Sequence, residues 1–172
     1  MTMAAVAQSA GVAKKTVYRF AKNREALIGL IVGNWTDSLP SVFEANATDT
    51  DDAMYILENI LVLIAERVLT AEAVGLFRLL VRDLPGRNDV LAIYGRNGID
   101  RSRRMLTSWL SRHHSRGFIT LTDPDMAADL ILSMVVAEPL RQISIGITKP
   151  QPAWDIRPRV QAALDLLKLR GA

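Results

Sequence analysis

The chain has 172 residues, of which 49% are hydrophobic and 23% charged, a balance typical of folded domains and not of disordered segments. It contains no cysteine, which excludes disulfides and thiolate metal sites. Its longest uninterrupted apolar run, residues 60–65, is too short to span a bilayer, and no leader with a cleavage site opens the chain, so we expect a cytoplasmic protein without a membrane segment.

Positive charge is concentrated near the N-terminus. Residues 1–30 carry five lysines or arginines and one glutamate, a net charge of +4, while the formal charge of the whole chain is +3. The remaining 142 residues therefore sum to −1. A basic pole on a nearly neutral body is expected of a nucleic-acid-binding protein, although a solvated basic helix face would give the same charge.

The stretch AQSAGVAKKTVYRF, residues 7–20, has the features of a helix-turn-helix and not of a frayed end. Ala7 is small enough for two helices to cross, and Gly11 can adopt the positive φ of the turn. The apolar residues predicted to join the two helices are Val6, Ala10, Val12, Val17 and Phe20. The second helix, about Lys14–Phe20, leaves side chains outside that core that suit phosphates and base edges: Lys14, Lys15, Thr16, Tyr18 and Arg19.

Apolar residues recur at helical spacing through the rest of the chain, which predicts an all-α fold of about eight helices. GFITLT, residues 117–122, is the only short β-like run. Helix starts are predicted at Asn23, as an N-cap with Glu25 in the first turn, and at TDPD, residues 122–125. Breaks are predicted at Pro40, residues 46–52, DLPGRND (83–89) and TKPQP (148–152), and Pro139 should kink or end a helix.

Little in the sequence suggests catalysis. His113 and His114 are adjacent, so they point to different sides of a helix and cannot clamp one metal, and we expect both at the surface near a helix end. The arginines between residues 96 and 104 could hold an anion, but a solvated face with neighbouring acids is the simpler interpretation. No phosphate-binding glycine loop, nucleophile elbow or HExxH motif occurs. We therefore expect no enzymatic activity, no metal and no cofactor.

The segment from Thr2 to Val32 resembles the DNA-binding segment of TetR-family transcriptional regulators. The matching residues are Thr16, Tyr18, Glu25, Ala26 and Leu27, and Arg24 replaces a usual lysine. The resemblance implies that Thr16 and Tyr18 contact the DNA backbone. It also implies that Lys15 and Arg19 face the groove and that Arg24 holds a phosphate. The run TDPDMAADLIL, residues 122–132, is similar to a feature of AefR-like C-terminal domains in this family.

Three departures from the family pattern stand out. Ala13 replaces the Ser or Thr that usually caps the recognition helix. Ala21 lies where the family has an aromatic residue, and Phe20 where it often has His or Tyr. The family's first helix would precede Thr2, so the DNA-binding domain is predicted to lack it.

The resemblance implies a helix-turn-helix domain over residues 1–32 and a helical effector-binding and dimerisation domain over residues 33–172. A small apolar effector would lie between helices of the second domain, with Phe77, Met105 and Trp109 as the first candidates for its pocket. The last two helices, about 125–145 and 153–170, would form a homodimer that matches palindromic operator DNA. The predicted function is a repressor that its effector releases from the operator. The alternative is a dimeric ligand-binding or interaction module that has lost specific DNA binding.

Overall fold

The computed structural model describes residues 2–37, 39–83 and 88–167, and the prediction of an all-α fold is confirmed. Two π-helical turns, Gly95–Ile99 and Ser133–Ala137, join α7 to α8 and α9 to α10 without a break. The helices are α1 Met3–Ser9, α2 Lys14–Phe20, α3 Arg24–Thr36, α4 Pro40–Phe43, α5 Thr50–Val68, α6 Ala71–Asp83, α7 Asn88–Tyr94, α8 Asp100–Ser115, α9 Pro124–Leu132, α10 Glu138–Ser144 and α11 Arg157–Leu166. None of the helices in these ranges combines the length and hydropathy that a membrane crossing needs.

Two helix starts form as the sequence predicts. The side chain of Asn23 accepts a hydrogen bond from the Ala26 N–H at 2.8 Å and caps α3. The Asp123 carboxylate accepts from the N–H groups of Asp125 and Met126 and caps α9, with Pro124 in the first turn. At α2, Ala13 provides no side-chain cap. The centre of the predicted break DLPGRND lies outside the described residues, between α6 and α7.

Pro139 lies two residues after the second π-helical turn, and the helix continues to Ser144. Proline has no N–H to donate and its ring collides with the carbonyl four residues earlier in a regular α-helix. The π-helical turn carries one extra residue and shifts the carbonyls of that region. The chain therefore passes the proline without ending the helix. The predicted β-like run at residues 117–122 forms bends and no strand.

Apolar side chains form three clusters. The largest surrounds α5 and contains the fully buried Leu57, Leu61 and Ile64. A second joins α3 to α6 and α7, and a third joins α1, α2 and the start of α3. Helix α3 belongs to both smaller clusters and crosses the predicted domain boundary after Val32. The position of the N-terminal helices is therefore set through α3.

The expectation that His113 lies at the surface is wrong, since its exposure is 0%. Its ring stacks on Trp109 with 3.8 Å between ring centroids. The Nε2 atom accepts the Ala47 N–H at 3.1 Å, so Nδ1 carries the proton and donates to the Trp109 carbonyl at 2.8 Å. Because both nitrogens are satisfied in the neutral ring, burial lowers the pKa of His113. His114, by contrast, is exposed.

We expect the free energy of unfolding to decrease as the pH falls through about 6.5, the ordinary pKa of histidine. The unfolded chain takes up a proton at His113 in this window, whereas the folded protein does so only at lower pH. The stability that the neutral ring provides is therefore complete above the ordinary pKa and is lost as the pH falls towards the lowered one. Urea unfolding at a series of pH values measures the effect.

His113→Gln supplies the test. The glutamine amide can replace both hydrogen bonds but cannot titrate, so the variant should show a flatter dependence on pH than the wild type in this window. His114→Gln leaves the buried ring in place and should keep the wild-type dependence. Equal slopes for wild type and His113→Gln would contradict the prediction.

Candidate DNA-binding surface and effector cavity

The N-terminal helices form the predicted helix-turn-helix geometry. Ala7 is buried where α1 and α2 meet, and Gly11 adopts a φ of 63° in the turn. The N–H of Val12 donates to the Ala7 carbonyl at 3.0 Å and closes the turn. Because a side chain at this φ is strained, glycine is the residue that the turn requires. Helix α2 has the predicted bounds, Lys14–Phe20.

The packing between these helices differs in part from the prediction. Val17 is buried and Val6 half-buried, as expected. Ala10, Val12 and Phe20 are exposed, Phe20 to 69%, and Met3 and Ala21 fill the interface instead. Ala21 is the extended residue that ends α2, with φ −144° and ψ 127°, and it lies inside the cluster beside α3. That turn of the chain leaves Phe20 on the outer side.

Helix α2 displays a basic surface. Lys14, Lys15 and Arg19 are exposed, and no acidic residue occurs within the helix. Lys14 and Tyr18 are one turn apart, with Nζ 5.8 Å from the centre of the phenol ring. Thr16 is half-buried on the same helix, and Arg24 is half-buried in the first turn of α3. The structure thus brings the predicted DNA-binding side chains to α2 and the adjoining end of α3.

Away from the helix-turn-helix, α3 packs very closely on α7 and on the first π-helical turn. A Cβ atom at Gly98 would lie 3.1 Å from a methyl carbon of Val32, and one at Gly29 would lie 3.2 Å from a methyl carbon of Ile93. Both distances are tighter than normal packing, so the two glycines allow the backbones to approach. A larger residue at either position would need the neighbouring side chain to move by a few tenths of an ångström.

Polar contacts hold the end of α3 in the same place. The Thr36 hydroxyl lies 3.1 Å from the Asn97 carbonyl. Arg101 of α8 donates to the Thr36 hydroxyl at 3.0 Å and to the Asp37 carboxylate at 2.6 Å. These bonds connect α3, the first π-helical turn and α8 in one junction.

A cavity of about 610 Å³ opens beside this junction. Its volume lies in the range of small-molecule sites, and its wall is mainly apolar. Phe77, one of the three predicted pocket residues, lines it, with its ring centroid 6.5 Å from that of Tyr94. The α3 residues in the wall follow helical spacing: Val32, Trp35, Thr36 and Leu39 (the last just beyond the helix). That spacing was a signal for the cavity wall that the prediction did not use.

The structure does not bring the other two predicted pocket residues to this cavity. Trp109 is completely buried in the main core, where its Nε1–H donates to the Ala45 carbonyl at 3.1 Å. Met105 packs against the same core. Both lie on α8, whose contribution to the cavity wall comes from Ser102 and Arg103.

Charged and polar groups surround the apolar wall. Arg78 donates to the carbonyls of Ile143 and Ser144 at the end of α10. Arg141 forms two hydrogen bonds with Glu138, which together with Gln142 lower the pKa of Glu138 to about 2. Burial raises the pKa of the Tyr94 phenol, which therefore stays neutral. Across the part of the chain that the structure describes, no three His, Asp or Glu side chains lie together as a metal site would need.

Comparison with known structures supports the fold. A TetR-family transcriptional regulator from Mesorhizobium loti MAFF303099 has a TM-score of 0.76 at 21% identity, covering 98% of this chain and 85% of the other. A structure named Flavonoid-responsive Regulator FrrA has a TM-score of 0.65 at 22% identity, with coverage of 98% and 85%. The TetR-family transcriptional regulator PfmR from Thermus thermophilus has a TM-score of 0.63 at 20% identity, with coverage of 99% and 88%.

The family itself is identified through the sequence of the C-terminal part. Among curated protein sequences none gives a significant match. Residues 56–169 match the family model described as the C-terminal domain of AefR-like transcriptional repressors, which is well over half of the chain. Taken with the helix-turn-helix of α1 and α2, this match shows that the chain belongs to the TetR family of transcriptional regulators.

Proposed function

We propose that this protein is a cytoplasmic, homodimeric repressor that binds palindromic operator DNA through α2 and leaves it when a small apolar effector occupies the cavity. The observation that carries the proposal is the position of α3. Its first turns pack on the helix-turn-helix through Ala26 and Leu27, and its last turns form the cavity wall through Val32 and Trp35. One rigid helix therefore touches both places that a ligand-controlled repressor needs.

The DNA contacts are assigned by chemistry and exposure. Lys15 and Arg19 are suited to guanine edges in the major groove, and Lys14 to a phosphate. The hydroxyls of Thr16 and Tyr18 would donate to phosphate oxygens, and Arg24 would hold a phosphate beside the start of α3. The exposed, acid-free surface of α2 supports these roles.

We expect the effector to cause release from DNA by changing the position of α3. An effector in the cavity contacts the face of α3 that carries Val32 and Thr36, next to the tight contact at Gly98. If it prefers an α3 position in which the two DNA-binding units no longer fit both half-sites, it shifts the population to the released state.

Dimerisation through the two helices predicted at about 125–145 and 153–170, which correspond to the α9–α10 stretch and α11, is supported by exposed apolar side chains. Met126 and Leu130 of α9 are exposed, Met126 to 56%, and Leu166 of α11 is exposed to 71%. A two-fold dimer built on these helices would place the two α2 helices for symmetric half-sites.

Arg19→Gln tests the DNA-binding role. We expect it to weaken binding to the DNA upstream of the protein's own gene by roughly tenfold or more, because an arginine contact to a base edge is lost. Fluorescence anisotropy at low salt measures the dissociation constant. Arg104→Gln removes an equal charge from an exposed position on α8 and should leave binding unchanged. A wild type that binds this DNA no better than random DNA would favour the alternative module without specific DNA binding.

Gly98→Val tests the coupling through α3. The larger side chain would push against Val32, and we expect operator affinity without effector to fall by roughly tenfold while the helix content is kept. Gly95→Val is the matched control, because it lies in the same π-helical turn with nothing within 4 Å of the added Cβ. Equal DNA affinities for the two variants would show that the Gly98 contact does not control the DNA-binding unit.

Leu166→Lys tests the dimer interface. A charge in an apolar interface should convert the dimer to a monomer at micromolar concentration, which sedimentation equilibrium detects. Leu91→Lys places the same charge on another exposed leucine, on α7, and should leave the dimer intact. The interface is assigned wrongly if Leu91→Lys dissociates the dimer and Leu166→Lys does not.

A further inference from the structure

The wall of the effector cavity is strongly basic for a site that is otherwise apolar. One acidic residue, Asp129, is found among the lining side chains that the structure describes. The cationic ones are Arg67, Arg78, Arg82, Arg103 and Arg141. An apolar molecule without charge would make no use of this excess of positive charge. Whether a ligand can use this charge depends on which arginines lack a partner within the protein.

Four of these arginines, Arg82 among them, already interact within the protein. Arg103 pairs with Asp125 at 2.6 Å, and Arg141 pairs with Glu138 at 2.7 Å. Arg78 donates to backbone carbonyls at the end of α10. Arg103 and Arg78 link neighbouring helices, and Arg141 pairs within α10, so all three guanidinium groups already have partners.

Arg67 is different. It is half-buried in the last turn of α5, on the face that also brings Ile64 and Val68 to the cavity wall. Within the described ranges it has no hydrogen bond, ion pair or ring contact. The helix dipole favours a cation near a helix C-terminus, which is a reason for an arginine at this position. The dipole does not, however, provide a hydrogen-bond acceptor for the N–H groups of the side chain. In a partly buried position its attraction to an anion exceeds that of a fully solvated arginine.

A hydroxyl in the same wall is also unsatisfied. The Oγ atom of Ser144 is buried and has no partner in the described part of the chain, although Arg78 binds the carbonyl of the same residue. Buried hydroxyls normally have a hydrogen-bond partner, and this one belongs to a residue of the cavity wall but exposes no surface to the cavity.

We propose that the effector is an amphipathic organic anion, whose apolar skeleton fills the cavity and whose acid group pairs with Arg67. The inference rests on the effector role proposed for the cavity and replaces the purely apolar effector of that proposal by one that carries an acid group. Trp35, Phe77 and Tyr94 supply flat surfaces for the skeleton.

A matched pair of fluorescent probes tests the charge requirement. 1-Anilinonaphthalene-8-sulfonate and its uncharged parent, N-phenyl-1-naphthylamine, share one skeleton and differ in the sulfonate. Fluorescence titration of the full-length protein without DNA gives a dissociation constant for each. In Arg67→Gln we expect the sulfonate to bind about tenfold more weakly or worse, as for a lost charge-assisted hydrogen bond, while the neutral probe changes by less than about twofold. Arg104→Gln is the charge-matched control and should change neither.

The location of binding is tested with the same probes. Val136→Trp places a bulky side chain in the cavity wall and should weaken both probes, and circular dichroism checks its fold. Decanoate should displace the sulfonate from the wild type more effectively than decanol. The inference is overturned if the wild type binds the neutral probe but not the sulfonate, or if Arg67→Gln affects both probes alike. It is also overturned if Val136→Trp leaves both bound.

These measurements separate the inference from the proposed function. Because they contain no DNA, probe binding reports only on the cavity. If the sulfonate requires Arg67 but neither it nor decanoate lowers operator affinity, the proposed release mechanism fails while the charge preference of the cavity stands. If both release DNA from wild type and only weakly from Arg67→Gln, the two are supported together.

Discussion

The close contact between α3 and the first π-helical turn is the constraint on which the rest of the arrangement depends. Gly29 faces Ile93 of α7 and Gly98 faces Val32 at distances tighter than normal packing. Polar contacts among Thr36, Asn97 and Arg101 position α3 in the same place. Protein interiors are packed too densely to deform smoothly, so such a contact is either made or shifted as a unit. The proposed release from DNA relies on this property, because a change on the cavity side of α3 would then reach the side that carries α2.

Helix α3 packs outside the main hydrophobic core. The large cluster around α5 does not include α3, which is held by its own smaller clusters. A helix that packed throughout the main core would be costly to move, whereas α3 contacts neighbours over limited apolar patches. The large cluster around α5 thus supports the α5–α6 wall of the cavity. The two smaller clusters, which contain α3, carry the helix-turn-helix.

Features that depend on neighbours in the sequence were predictable, and features that depend on distant packing were not. Asn23, Asp123 and Gly11 act on backbone groups within a few residues, so their roles can be read locally. The burial of His113 depends on Ala47, 66 residues away, and Trp109 is held by Ala45, 64 residues away. No local pattern indicates such partners. The sequence pattern also misassigns single residues at a helix end. Ala21 ends α2 in an extended conformation and is buried, whereas Phe20 beside it is exposed.

The second π-helical turn has a geometric consequence for the long helix that contains it. Each residue of an α-helix turns the direction of its side chain by about 100°, so one extra residue offsets the phase of everything that follows. Before the turn the outer face carries the exposed Met126 and Leu130, and after it Leu140 and Ile143 are buried. The exposed apolar stripe of α9 therefore does not continue into α10. The same offset lets the cavity wall run from Leu132 before the turn to Leu140 and Ser144 after it, so one continuous helix lines the cavity on both sides of the turn.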